Sequence, residues 1–188
     1  VPQPSEIVRE IIHMHRLYNN LWNKLYVREL FEDGLRLDES VHIGEDALLN
    51  LQLYLRAKNI VHISDYTYVY RVHSSSAMAN MGLYSQAHQA MLQSMSAILL
   101  REGVKELYFR DFLQSCVWVD EKETGIMACM KRFNAYIRPL VLDGVQEDRV
   151  PQWDLRIYRA VVKGYFPQIY ILLRIREKLT GRKWGIRR

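Results

Sequence analysis

From residue 83 onward the sequence reads as one helix after another, at 83–101, 104–119, 125–142, 152–162 and 168–180. Gly103, Gly144 and Pro151 supply the breaks. Such a run must bury helix faces against other helices, so the second part of the chain is expected to be a helical body. The first part is more varied. Residues 5–18 read as a helix, with Ser5 able to cap it and Ile7, Ile11, His15 and Tyr18 at helical spacing. Residues 21–34 read as a short extended piece and a helical turn stopping at Gly34. Residues 45–58 form another helix, with Leu48, Leu51 and Leu55 as its apolar stripe.

Between 59 and 73 the period changes. Tyr66, Tyr68 and Tyr70 alternate with Thr67, Val69 and Arg71, which predicts two short strands with a turn at Asp65. Two or three strands are not stable alone, so they are expected to be the trailing part of a larger sheet. The first residue is Val and not Met, which fits the same expectation of sequence upstream. The predicted class is therefore α+β, predominantly α-helical, with a few short strands. Its two parts are 1–80 and a helical C-terminal extension at 81–188.

Charge is distributed unevenly. Residues 155–188 hold ten Lys or Arg and one acid, Glu177, a net of +9 within a chain of +5, so residues 1–154 carry −4. A basic end on a mildly acidic body points to an anionic partner. The same segment interleaves Phe166, Ile169, Tyr170, Leu172, Leu173, Ile175, Leu179 and Trp184 with its cations, the pattern of a helix lying on an anionic membrane. A terminal helix packed on the body with its charges in water is the plainer alternative. No nucleic-acid-binding motif accompanies the charge. Cys116 and Cys129 form no disulfide framework and have no metal-ligand spacing. His13 and His15 point to different sides of a helix, and Met78, Met81, Met91 and Met95 are expected to be packing residues.

Gly44-Glu45-Asp46 places two acids after a glycine at a helix start. Both can be ordinary first-turn residues. A carboxylate held there can also act as a proton acceptor. The helix dipole and free N–H groups favour its charged form, so Asp46 is expected to be a positioned acceptor of lowered basicity. Arg71 and His73 lie two apart in a predicted strand and so share a face, where a cation and an imidazole can meet a diphosphate or a metal. A polar strand end explains them equally well.

Five segments in order carry a resemblance: Trp22-Asn23-Lys24-Leu25-Tyr26, Arg28-Glu29-Leu30-Phe31, Gly44-Glu45-Asp46, Ala57-Lys58-Asn59-Ile60-Val61, and Tyr70-Arg71-Val72-His73-Ser74-Ser75-Ser76-Ala77-Met78. Together, over 21–78, they resemble the second half of a family 2 glycosyltransferase of the kind that builds bacterial capsules and other surface polysaccharides. The resemblance implies a GT-A nucleotide-binding α/β fold, of which this chain holds the acceptor-side part. It implies a nucleotide-sugar donor, a saccharide or lipid-linked acceptor, and inversion at the transferred sugar. It makes Asp46 the catalytic base with Glu45 beside it, and puts Arg71 and His73 at the donor diphosphate. His73 is then a metal ligand for Mg or Mn, and Ser76 belongs to a substrate-binding loop. Asn23 and Lys24 are expected to fix local structure, Lys24 pairing with Glu29 or a loop acid. The family's Asp-x-Asp motif is absent, so the nucleotide-binding half is expected elsewhere and the chain alone is expected to be inactive. The implied location is cytoplasmic, peripheral on the inner face of the membrane. The competing function is a non-enzymatic helical adaptor whose basic end binds an anionic membrane or nucleic acid.

Overall fold

The computed structural model describes residues 3–14, 19–41, 43–65, 67–69, 71, 84–117 and 126–180. The chain divides into two compact units, Val1–Met95 and Ser96–Arg188. The division falls inside a helix, some way beyond the 80/81 boundary expected from the sequence.

In the first unit, helix α1 (Pro4–Ile12) starts with Pro4, whose missing N–H costs nothing in the first turn. Glu6 reaches back to accept the Gln3 N–H at 3.3 Å, so the cap is Gln3 and not Ser5. Ile7, Val8, Ile11 and Ile12 are buried as one stripe. The helix stops where Met14 turns left-handed (φ 57°), earlier than the expected 18; residues 15–18 lie outside those described.

A 3-10 turn (Arg28–Phe31) precedes helix α2 (Glu45–Arg56), which packs against α1. Ala47, Leu48, Leu49, Leu51 and Leu53 are all buried, so α2 is covered over more than the single expected stripe, and Leu55 is only half-buried. Leu49 and Leu53 pack with Leu35, while Leu21, Tyr26, Leu30 and Phe31 close over them. Gly44 opens α2 in the left-handed region (φ 88°). A Cβ there would lie 2.5 Å from the Met91 sulfur, so both backbone and packing demand glycine.

The strands expected at 59–73 are absent among the described residues. Residues 59–65, 67–69 and 71 follow irregular backbone, with Val61, Ile63 and Val69 exposed. The alternation is real in the sequence, but a strand exists only through a partner's ladder, and these residues have none. The predominantly helical character is as expected.

Helix α3 (Tyr84–Arg101) crosses from one unit to the other and buries Met91 and Met95, the packing role expected of them. The second unit continues with α4 (Phe109–Cys116), α5 (Ile126–Arg132), a π-helical turn (Phe133–Ile137), α6 (Arg138–Leu142), a 3-10 turn (Glu147–Arg149), α7 (Leu155–Val162) and α8 (Phe166–Thr180). The π turn sits just before Pro139, whose ring would otherwise meet the carbonyl four residues back. The core gathers Phe109, Phe112, Phe133, Val141, Val161 and Ile169, with Phe109 edge-on to Tyr158 at 5.4 Å. Cys116 lies within it, its thiol pushed up by burial and hence inert. No helix among the described residues is long and apolar enough to cross a membrane.

Lys105 is the unexpected core member, 0% exposed. Its Nζ donates to the Leu140 and Asp143 carbonyls at 2.9 and 2.6 Å, closing the C-terminus of α6, and it lies over the Phe112 ring. Replacing Lys105 with Met removes two charge-assisted bonds, leaving the Leu140 carbonyl only the Ser96 hydroxyl at 3.4 Å. A loss of about 2–3 kcal/mol is expected in urea unfolding followed by circular dichroism. Gly44→Ala is expected to cost more than ~1 kcal/mol by the same measurement from backbone strain alone, before the Met91 clash is counted.

Candidate functional site

The site is built on the segment 19–26 and the first turn of α2. The segment is held by one side chain. Asn50, fully buried in α2, donates from Nδ2 to the Asn19 and Asn20 carbonyls at 2.6 and 3.3 Å. Its Oδ1 accepts the Tyr26 hydroxyl at 2.6 Å. The Tyr26 phenol is pushed well above its ordinary range, by burial first and then by Tyr54, so it stays a donor.

The same segment turns Lys24 back on itself. Its ammonium donates to the Asn20 carbonyl and to Asn23 Oδ1, the latter at 2.6 Å. Burial brings Lys24 down to about 8, while the Asp46 charge acts in the opposite direction. Lys24 therefore does more than brace its own loop, since the field of Asp46 reaches it. Beside it Trp22 stacks on Tyr68, ring centroids 4.3 Å apart, with both rings partly exposed.

Asp46 is half-buried and accepts the Ala47 N–H at 2.7 Å. Its carboxyl is raised above the ordinary carboxylate value. Burial is the largest cause, opposed by the Ala47 N–H, aided by the neighbouring Glu45 charge, and opposed again by Lys24. The expectation of lowered basicity is thus reversed. Desolvation outweighs the helix terminus, and Asp46 is a better proton acceptor than a surface carboxylate.

Of the residues picked out by sequence, Glu45 and Asp46 share this site. Arg71 is exposed on irregular backbone and not on the strand expected there. His73 and Ser76 lie outside the described residues. Among the described residues no group of three His, Cys, Asp or Glu converges as a metal site. Sequence reasoning missed Asn50 and undervalued Lys24. A lone Asn flanked by Leu48, Leu49, Leu51 and Leu53 was the available signal for the first, since a polar side chain in such company must find partners.

No protein-family model matches this chain, and no solved structure matches it. It is similar to Glycosyltransferase GlyA of Streptococcus pneumoniae serotype 4, with 29% identity over 104 residues. The match takes in 44% of this chain and 15% of the relative, so the chain spans a small part of that protein's length.

The raised Asp46 carboxyl has a consequence for stability. Between its ordinary value and its raised one, the folded chain holds a proton that the unfolded chain releases, so stability falls as pH rises through that window. Asp46→Asn removes the penalty. The variant is expected to melt higher than the wild type at pH 7, with the difference shrinking as pH drops below the ordinary carboxylate range. Melting curves across pH 3–8 check this, about that span being where a carboxylate raised from ~4 titrates.

Proposed function

We propose that this chain is the acceptor-side part of an inverting glycosyltransferase of the GT-A, family 2 kind, with Asp46 as its catalytic base. The observation that carries this is the half-buried, proton-seeking carboxylate at the mouth of α2, within the field of the Lys24 ammonium. The similarity to Glycosyltransferase GlyA supports the same class of reaction. A sugar hydroxyl of a saccharide or lipid-linked acceptor gives its proton to Asp46 as its oxygen bonds to the anomeric carbon. The bond from that carbon to the donor's diphosphate breaks on the opposite face, and a nucleoside diphosphate leaves. Burial makes the carboxylate basic enough to take the proton. Lys24, largely protonated at neutral pH, keeps the carboxylate ionised until it does. Glu45 adds a second negative charge that raises Asp46 further.

Arg71, exposed and without an ion pair among the described residues, is assigned to the donor diphosphate, and His73 and Ser76 complete the donor and acceptor contacts. His73 would be the residue of this chain to hold the Mg or Mn of such enzymes, whose chemistry there would be positive charge for the diphosphate. Bacterial surface-polysaccharide assembly on a lipid carrier at the cytoplasmic face would place the protein against a membrane. The exposed Tyr165, Tyr170, Ile171 and Ile175 among the basic residues of 155–175 support peripheral contact there.

The test uses the full-length enzyme that contains this chain, with release of free nucleoside diphosphate from nucleotide-sugars as readout. Asp46→Asn is expected to lower kcat by about 10²–10⁴-fold with the donor KM little changed. An unaltered kcat removes Asp46 from the role of base.

A further inference from the structure

A cleft of about 480 Å³ opens beside α7 and the start of α8, lined by Gln152, Arg156, Arg159, Lys163, Tyr165 and Gln168 among others. Its shape is fixed by the turn between the two helices. Gly164 adopts φ 72°, its N–H donates to the Val161 carbonyl at 2.9 Å, and the Tyr165 N–H donates to the Ala160 carbonyl at 3.1 Å. This glycine-dependent helix ending folds α8 back along α7.

Arg156, Arg159 and Lys163 follow one another at spacings of three and four, so all three project from one face of α7. Only Arg159 is neutralised, by Glu147 at 2.8 Å. Arg156 and Lys163 have no ion pair among the described residues, and the cleft keeps an excess of two positive charges. Lys163 and Arg159 at the C-terminal end of α7 are ordinary, because the helix dipole favours cations there. Arg156 stands in the first turn, where the dipole opposes it, and it repels Arg159 one turn on. Arg110 has the same place in α4 but is paired with Asp154, whereas Arg156 has no ion pair among the described residues. An anion lying across the row would serve both unpaired cations. A phosphate group carries about −1.5 to −2 at neutral pH as a monoester and about −1 as a lipid diester, and in either form its free oxygens spread around one centre and can reach both cations. Tyr165, Gln152 and Gln168 add neutral donors around the rim.

We propose that this cleft binds a phosphate group, with Arg156 and Lys163 as its principal ligands. The site lies outside the Asp46 machinery. It deepens the membrane-contact part of the preceding proposal, giving it a headgroup pocket, and does not depend on the transfer reaction. The phosphate can come from an anionic lipid headgroup or from a free phosphate compound.

The test titrates the 188-residue chain with inorganic pyrophosphate by isothermal calorimetry at low and high salt, and sediments it with vesicles of phosphatidylcholine alone or mixed with phosphatidylglycerol. The double variant R156Q/K163Q is compared with K131Q, which removes an exposed cation elsewhere. Saturable, salt-sensitive pyrophosphate binding is expected, weakened at least tenfold in the double variant and unchanged in K131Q. Phosphatidylglycerol-dependent sedimentation lost in the double variant assigns the source to a lipid. Pyrophosphate binding without sedimentation assigns it to a free phosphate and removes the membrane contact while leaving the cleft. Binding of neither probe, or equal binding by the double variant with unchanged circular dichroism, overturns the site. Turnover by Asp46→Asn is a separate measurement, so failure of the base leaves this result intact.

Discussion

Everything in the first unit depends on the buried amide of Asn50. Its donor side satisfies two backbone carbonyls of the 19–20 corner and its acceptor side takes the Tyr26 hydroxyl. Without it the buried Asn19 carbonyl would lose this donor and the Tyr26 hydroxyl this acceptor, at a cost of ~1–3 kcal/mol each, while the Asn20 carbonyl would keep the Lys24 ammonium. With it, a stretch of irregular backbone is fastened to the middle of α2. That fastening carries Trp22, Asn23 and Lys24 to a fixed place relative to the helix mouth. The field between Lys24 and Asp46 is therefore a property of the fold and not of a mobile loop.

Asp46 shows how burial and helix electrostatics compete. The Ala47 N–H and the helix terminus both favour the anion. They lose to desolvation, because the residue sits where Gly44 lets the backbone pass tightly against Met91 and α2 enters the interior at once with Ala47 and Leu48. A longer or more exposed approach would have left Asp46 an ordinary first-turn acid. The glycine thus matters twice, as the only residue fitting the turn and as the reason the carboxylate starts half-buried.

What the sequence makes legible follows the range of the interactions. The helices are legible because their apolar spacing and glycine stops are local, while their ends are less so: starts expected at 104 and 152 fall at Phe109 and Leu155, and the first helix stops at Ile12. Gly44-Glu45-Asp46 is legible for the same reason. The tyrosine alternation at 66–70 misleads because a strand depends on a distant partner that composition cannot supply. The Lys24–Asp46 relation is invisible for a similar reason: only the tertiary fold brings the two together. The buried Lys105 is hidden too, since nothing near it in sequence announces the carbonyls of Leu140 and Asp143 that receive it.

Most charges in this chain obey the rules of their elements. Glu6 opens α1, Arg56 closes α2 and pairs with Asp33, and Arg159 closes α7 and pairs with Glu147. Two stand out. Asp46 is a half-buried acid, and Arg156 is a cation in the first turn of a helix beside other cations. Arg110 holds the same place in α4, but Asp154 pairs with it, whereas Arg156 has no ion pair among the described residues. Exceptions of this kind collect where a ligand completes the charge balance that the folded chain leaves open. On the proposed reading, position 46 completes that balance by taking a proton and position 156 by holding an anion.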